Sequence, residues 1–232
     1  PGGVAIVDLR VVDAVTGSLL QEQESMPYVV IPEDYIEEAE TALASDSHET
    51  IPTQYLLAVS LLCAAAGDTI VVGATSQQSI TSGIGYNPTV FVLDVREAYA
   101  ARAEGSLRGL PNGFPAVATN EDGRPGVVLP PQAPPSDVRS APRVVGSGPE
   151  ITADQNVIGQ VLTVDWNGQM LTSTWDGGLV MIGSEQSPNP DYGFRGELNG
   201  YRVGSQVVIL EPSEDTTLVH VVDIVAAVPG QG

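Results

Sequence analysis

Few side chains in this sequence are suited to covalent or metal chemistry. Its 232 residues include two histidines, His48 and His220, and one cysteine, Cys63. His220 lies inside an apolar run, and no Gly-x-Ser-x-Gly stretch offers the strained turn that exposes a hydrolase serine. A histidine or cysteine metal site needs more ligands than these residues supply. We therefore expect no nucleophilic enzyme, no metal and no other cofactor.

A run of acidic residues between Glu33 and Glu40 is the other candidate for ion binding. It lacks the Asp-x-Asp-x-Asp-Gly spacing of a calcium loop. Pro32 followed by acidic residues is typical of a helix start, because proline suits the first turn and acids favour the positive end of the helix dipole. Ile36 and Leu43 would share one face of that helix. We interpret the run as the solvated face of a helix.

The charge of the whole chain is strongly negative. The formal net charge is −20, from 29 acidic and 9 basic residues, and every basic residue is an arginine. Phosphate groups are bound by clustered lysine and arginine, so such a surface repels nucleic acid and anionic lipid. The composition therefore excludes nucleic acid as a partner.

The single cysteine can form no disulfide within the chain. Cys63 lies in the apolar run Tyr55–Ala64, between Pro52 and Gly67. This run is too short to span a bilayer and is typical of a buried helix. We predict a helix over Thr53–Ala66 and a buried, unreactive thiol.

The sequence opens on Pro1-Gly2-Gly3, and no signal peptide is present in it. An upstream leader with a lipid-attachment cysteine would place the protein outside the membrane and tether it to the cell envelope. We expect an extracytoplasmic location, with the lipid anchor as an open alternative.

One pattern occurs twice along the chain, in the same order. Each copy has a glycine before a β-branched run, then a loop and a longer apolar strand with an aspartate: Gly67–Val72 with Thr89–Val95, and Gly204–Ile209 with Leu218–Ile224. Upstream of each copy lies a strand with Val-Asp before an apolar residue, Val7–Leu9 and Val164–Trp166. A repeat at the length of a domain implies two related domains.

The pattern of elements predicts the α+β class. Strands dominate and helices are few, so each copy is expected to be an antiparallel sheet covered by one or two short helices. We place the first domain at 1–104 and the second at 143–232. Between them, 105–142 is rich in proline and glycine, which favours extended backbone. It is either a plain connector or the source of an edge strand for the second domain.

The second copy gives the clearer outline. Strand Gln160–Trp166 ends at Asn167-Gly168, a favoured hairpin dipeptide, and Met170–Trp175 returns. A short helix is predicted over Phe194–Tyr201. Two paired strands then close the domain, Gln206–Leu210 and Thr217–Val225.

At five landmarks the second copy resembles the FKBP-type peptidyl-prolyl isomerases, the macrolide-binding immunophilins. They are Val164–Gly168 for the family's Val-x-Tyr-x-Gly, Thr174–Asp176 for its Phe-Asp-Ser, Gly193-Phe194 for the Gly-Trp that opens its central helix, Val203-Gly204 for its Val-Gly, and Thr217–Ile224 for its final strand. The first copy resembles the family through the repeat, with Leu9, Leu20-Gln21 and Phe91 at the corresponding positions. The resemblance implies two FKBP-like domains.

The resemblance also implies a site in the second copy. Members of the family rotate an X-Pro bond, whose barrier is about 18–20 kcal/mol, in an apolar and aromatic pocket without nucleophile or metal. By resemblance, Trp166, Trp175 and Phe194 would line this pocket. Asp176 would form its polar wall, and His220 stands where the family has a pocket phenylalanine. The alternative is that these side chains simply fill the cavity as core.

Two departures from the family bear on catalysis. The long loop between the last two strands, which covers the family's pocket, is replaced here by the short link Glu211–Thr216. The matching loop of the first copy, Thr75–Pro88, is longer and contains Gly85-Tyr86, but in that copy Leu9 stands where the family has tyrosine and Leu20-Gln21 where it has Phe-Asp. We therefore assign no residue a catalytic role.

Two functions stay open at this point. The first is an isomerase relative with weak or no activity that binds proline-containing, extended or unfolded polypeptides, as a foldase or chaperone does. The second is a non-catalytic binding or scaffold protein whose pockets are filled. A third alternative is an unrelated antiparallel β protein in which the repeat reflects only the alternation of strands.

Overall fold

A computed structural model describes residues 3–29, 53–213 and 216–230 of the chain. The chain divides into two compact units, Pro1–Tyr99 and Ala100–Gly232. The helix predicted from Pro32 and the acidic run behind it lie outside the described residues. Within the described residues, no helix is long and apolar enough to cross a membrane.

The described residues of the first unit, 3–29 and 53–99, form a four-stranded antiparallel sheet with two short helices. Its elements are β1 (Val4–Asp13), β2 (Leu19–Val29), α1 (Thr53–Ser60), β3 (Thr69–Ala74), α2 (Ser76–Thr81) and β4 (Thr89–Tyr99). The strand order is β2-β1-β4-β3. Helix α2 was not predicted, although Thr75 and Gln78 form a capping box that marks its start.

Alternation along β1 decides the two faces of this sheet. Val7 and Leu9 point to the core, where they pack with Leu57 of α1. Asp8 and Arg10 point the other way. On that outer face Arg10 pairs with Asp94 of β4 at 2.7 Å, and Asp8 pairs with Arg96.

The second unit is larger and almost entirely β. Its elements are β5 (Gly105–Leu107), β6 (Ala116–Thr119), β7 (Pro125–Val128), β8 (Arg139–Gly146), β9 (Gln155–Asp165), β10 (Met170–Ser173), β11 (Val180–Gly183), a 3₁₀ helix (Gly193–Leu198), β12 (Gln206–Pro212) and β13 (Thr217–Pro229). Seven strands form one sheet in the order β10-β9-β13-β12-β8-β5, with β11 also paired to β9. Strands β6 and β7 form a separate hairpin. The predicted class, antiparallel sheets with few short helices, is confirmed.

The proline-rich residues 105–142 belong to the second unit. Strand β5 pairs with β8 and is the edge of the large sheet, which is one of the two roles that the sequence left open. Just before this stretch, the Ala103 N–H donates to the buried Asp223 side chain of β13 at 2.8 Å, and a Gln206 side-chain N–H donates to the same carboxyl at 2.7 Å. Burial raises the pKa of the Asp223 carboxyl. The domain boundaries at 104 and 142 stay predictions.

The two sequence copies fold alike where the repeat begins. Four strands of the second unit, β10-β9-β13-β12, run in the order of the four strands of the first. Gly67 and Gly204 both have left-handed backbone, with φ of 95° and 89°. Each glycine donates its N–H to the following long strand at 2.8 Å, to Val95 and Ile224 respectively. The residue after each glycine accepts an N–H in return, from the same Val95 or Ile224.

Three details of the sequence prediction are wrong. Helix α1 ends at Ser60 instead of Ala66, because tighter i to i−3 bonds, such as Leu61 N–H to the Ala58 carbonyl, replace the helical pattern there. Cys63 consequently leaves the buried face, and its thiol is exposed. The predicted helix Phe194–Tyr201 is a 3₁₀ helix over Gly193–Leu198.

Gly67 and Gly204 offer a matched test of the glycine turn that the two units share. A Cβ at Gly67 would meet open space, so Gly67→Ala should cost only the left-handed strain, about 1–2 kcal/mol. A Cβ at Gly204 would lie 2.7 Å from the Glu104 carbonyl oxygen, which adds an overpacking cost of about 1–3 kcal/mol. Urea unfolding measured by circular dichroism for the first unit and by tryptophan fluorescence for the second should show this order. Equal losses for the two variants would contradict it.

Candidate functional site

The candidate site is built on the pairing of β9 with β13 in the large sheet. In this register Val219 lies opposite Val164, and His220 lies opposite Thr163. Because neighbouring side chains of a strand point to opposite faces, Val219 and His220 cannot share a face. The register therefore decides which of the predicted site residues can meet.

One face of the sheet carries a buried apolar cluster, which we call the tryptophan face. Its buried members come from three neighbouring strands: Leu162, Val164, Val208, Leu210, Val219 and Val221. Half-buried side chains cover it: Leu110, Phe114, Val117, Val127, Leu129, Trp166 and Trp175. Five of these seven lie in the stretch 105–142, so the cover comes mainly from the proline-rich part of the unit.

Trp166 is placed by the turn that ends β9. The Asp165 carboxylate accepts the backbone N–H of Asn167 at 2.9 Å and of Gln169 at 2.8 Å, and these bonds lower its pKa. Gly168 takes the left-handed conformation that the Asn-Gly dipeptide predicted. Trp166 lies on the tryptophan face, and its indole N–H donates to the Gln132 carbonyl at 3.1 Å.

Trp175 packs against the same cluster and directly precedes Asp176. A turn fixes it, because the Thr174 carbonyl accepts the N–H groups of Gly177 and Gly178 at 2.9 Å. The Asp176 side chain is 71% exposed and forms an ion pair at 2.8 Å with Arg124, next to β7. Asp176 therefore ties the β6–β7 hairpin to the turn, at an exposed position.

Phe194 and His220 meet on the opposite face of the sheet. Their ring centroids are 4.4 Å apart with a 38° tilt, and the two residues are 3% and 4% exposed. His220 Nδ1 lies 2.9 Å from the Thr163 hydroxyl, and Nε2 lies 3.0 Å from a Glu211 carboxylate oxygen. A carboxylate only accepts, so Nε2 carries the proton of this bond. The bond from His220 lowers the pKa of Glu211.

Arg195 fixes the 3₁₀ helix that carries Phe194, and the sequence analysis missed it. Its side chain is 1% exposed and donates to the carbonyls of Gly183, Thr152 and Gln155 and to the Asn199 side chain, at 2.7–2.9 Å. Among the residues that the structure describes, no carboxylate forms an ion pair with Arg195, and burial lowers the pKa of its guanidinium. The only hint in the sequence is an arginine directly after a landmark aromatic residue.

The structure thus brings the predicted site residues together in two pairs. Trp166 and Trp175 share the tryptophan face, whereas Phe194 and His220 stack on the other face. Asp176 is exposed beside the first pair. Their part in ligand binding stays a prediction.

The first unit offers a different opening. A cavity of about 620 Å³ lies beside α2, at the loop that joins β3 to β4. It is lined by Gly73, Ala74, Thr75, Ser76, Gln77, Ile80 and Pro88. Leu9 and Phe91, the pocket positions inferred from the repeat, are instead buried in the core of that unit. Tyr86, in the loop between β3 and β4, is 87% exposed.

Comparisons with known proteins give weak likenesses. No protein-family model and no curated protein matches the sequence. The chain is similar to FkpA from Escherichia coli, with a TM-score of 0.36 and 15% identity over 52% of this chain and 54% of FkpA, about half its length. It is similar to the three FKBP domains of wheat FKBP73, with a TM-score of 0.34 and 10% identity over 97% of this chain and 87% of that chain. For the putative peptidyl-prolyl cis-trans isomerase FKBP12 from Mycobacterium tuberculosis, the TM-score is 0.30 and the identity 23%, over 40% of this chain and 86% of that chain.

The bond between His220 and Glu211 predicts an acid-sensitive contribution to stability. The pKa of Glu211 is lowered from 4.5, so its contribution is present above that pH and is lost as the pH falls through the folded value. Glu211→Gln should therefore flatten the loss of stability on the acid side. Urea midpoints from tryptophan fluorescence between about pH 3 and 7 measure this. Glu121→Gln, at an exposed glutamate, is the control, and a wild-type slope in Glu211→Gln would contradict the assignment.

The buried guanidinium predicts a larger effect at Arg195. Arg195→Met removes every donor that serves three backbone carbonyls, so the free energy of unfolding should fall by roughly 3 kcal/mol or more. Arg202→Met is the control, because the Arg202 side chain donates to the Gly148 carbonyl at an exposed position. Urea unfolding of both variants, followed by tryptophan fluorescence, tests the difference. Similar losses would show that burial of Arg195 adds nothing.

Proposed function

We propose that the second unit binds extended, proline-containing polypeptides on its tryptophan face, as a relative of the FKBP-type isomerases with weak or no isomerase activity. One observation carries the proposal. The indole N–H of Trp166 already donates to a main-chain carbonyl, that of Gln132, directly after Pro130-Pro131. The chain thus displays on itself the contact that the proposed ligand would make.

This contact has the chemistry of proline recognition. A proline segment has few N–H groups and a restricted backbone, so it loses little entropy on binding and offers carbonyls as acceptors. Grooves that bind such segments combine aromatic surface with a side-chain donor, and an indole supplies both. Trp166 and Trp175 provide the aromatic surface, and Trp166 provides the donor.

The arrangement gives less support to isomerisation. Lowering a barrier of about 18–20 kcal/mol requires contacts that favour the twisted amide over the planar one. The four aromatic candidates lie on two faces of the sheet instead of around one proline ring. The short link Glu211–Thr216 also takes the place of the loop that, by resemblance, would cover the substrate. Binding without efficient turnover fits these observations.

The relation to the isomerase family is part of the proposal. It is supported by the five landmarks in their order and by the strand order that both units share. A non-catalytic scaffold with filled pockets is the second candidate. Phe194 and His220 are buried, and both ring nitrogens of His220 have hydrogen-bond partners. These observations favour the filled scaffold for the face of the sheet opposite the tryptophan face.

Two measurements test the proposed function. The synthetic peptide Leu-Pro-Pro-Gln-Ala-Pro-Pro should change the tryptophan fluorescence of the protein in a saturable way. Trp166→Ala should weaken the binding by about tenfold or more, since it removes both ring and donor. Tyr86→Ala, at an exposed aromatic of the first unit, should bind like the wild type. Absence of saturable binding would sink the proposal.

Isomerisation of a short X-Pro peptide is measured in parallel. The rate with wild-type protein should stay close to the rate in buffer and to that with Trp166→Ala. A wild-type rate many times higher than the rate in buffer, and lost in Trp166→Ala, would contradict the proposed weak or absent activity and show efficient isomerisation.

A further inference from the structure

We propose that residues 129–135 are an internal ligand of the tryptophan face, which an outside polypeptide must displace in order to bind. The inference rests on the proposed function and adds its regulation. The segment reads Leu-Pro-Pro-Gln-Ala-Pro-Pro and connects the end of β7 to the start of β8. It is therefore a proline-rich polypeptide tethered at both ends beside the site that would bind one.

The first half of the segment makes the contacts. Leu129 packs on the tryptophan face, and Pro130 is half-buried. The Gln132 carbonyl accepts the Trp166 indole N–H, while the Gln132 N–H donates to the Pro130 carbonyl at 2.8 Å. This turn directs the Gln132 carbonyl at the indole. Pro131 and Pro134 are exposed, so an outside chain can approach the segment from solvent.

The hold on the segment is weaker than that on a sheet strand. Within the described residues, β6 and β7 pair with each other and with no strand of the large sheet. Besides apolar packing, the hairpin is tied down by the Arg124–Asp176 ion pair and by an Arg102 side-chain N–H that donates to the Glu121 carbonyl at 3.2 Å. Both contacts are exposed, and an exposed ion pair contributes little. The segment itself has no ladder bonds. It can therefore leave the tryptophan face while β8 stays in the sheet.

Tethering decides how the segment competes. A segment joined at both ends acts at an effective concentration in the millimolar range, which a free ligand must overcome. The apparent affinity for an outside ligand equals its affinity for the open site multiplied by the fraction of molecules whose site is open. Loosening the segment should consequently tighten binding of a free peptide, although no contact to that peptide has been added.

The experiment loosens the segment without touching the tryptophans. Pro130→Gly/Pro131→Gly restores backbone freedom to the unbound segment and so opposes its ordering on Trp166. Binding of free Leu-Pro-Pro-Gln-Ala-Pro-Pro should become about tenfold tighter than in the wild type. Pro149→Gly, at an exposed proline of the same unit, is the control and should bind like the wild type.

A second readout needs no outside ligand. The chain has two tryptophans, so in a Trp175→Phe background the fluorescence comes from Trp166 alone. Acrylamide should quench Trp166 more strongly in the double glycine variant than in its parent.

The outcomes separate the two claims. Equal peptide affinity in wild type and double glycine variant overturns the internal ligand and leaves the proposed function standing. If the peptide binds neither protein, the proposed function fails. The quenching then decides the internal contact, since equal quenching overturns it and stronger quenching in the variant upholds it.

Discussion

The second unit depends on one pairing, that of β9 with β13. These are its two central long strands, and their register runs without a shift from Leu218 opposite Asp165 to Ile224 opposite Gly159. A slip of one residue would exchange the two faces of the sheet and expose apolar side chains to water. The cover of proline-rich chain and the 3₁₀ helix each fit one of these faces. Neither has a place to pack until the register exists.

The buried polar groups reinforce this arrangement at its edges. Arg195 holds the 3₁₀ helix, His220 links β9 to the end of β12, and Asp223 holds the start of the unit. Each of these side chains has several hydrogen-bond partners, so few of its buried polar atoms are left without one. His220 places a hydrogen-bonded ring against Phe194 on the face opposite the tryptophan face. The face of the sheet that carries His220 is therefore a packed, hydrogen-bonded interior.

The sequence predicts the strands well, because their signals are local. Alternation marks the long strands, Asn167-Gly168 marks the hairpin, and the repeated glycines mark the turn before β3 and β12. The face of a side chain is not a local property, since it depends on which strand pairs with which and in what register. Trp166 and His220 are therefore predicted to line one pocket but lie on opposite sides of the sheet. Cys63 illustrates the same limit, because the apolar run gives no sign of where its helix ends.

The glycine turns described for both units have a consequence for engineering. In each unit the glycine turn bonds to the following long strand, β4 in the first unit and β13 in the second. These bonds set the register at one end of the strand pairs β3–β4 and β12–β13. The other end of the pair is closed by loops of very different length, residues 75–88 in one unit and 213–216 in the other. The strands therefore tolerate wide variation there without losing their alignment. A foreign loop spliced between Pro212 and Thr217 would be displayed on a frame that is already locked from the far side.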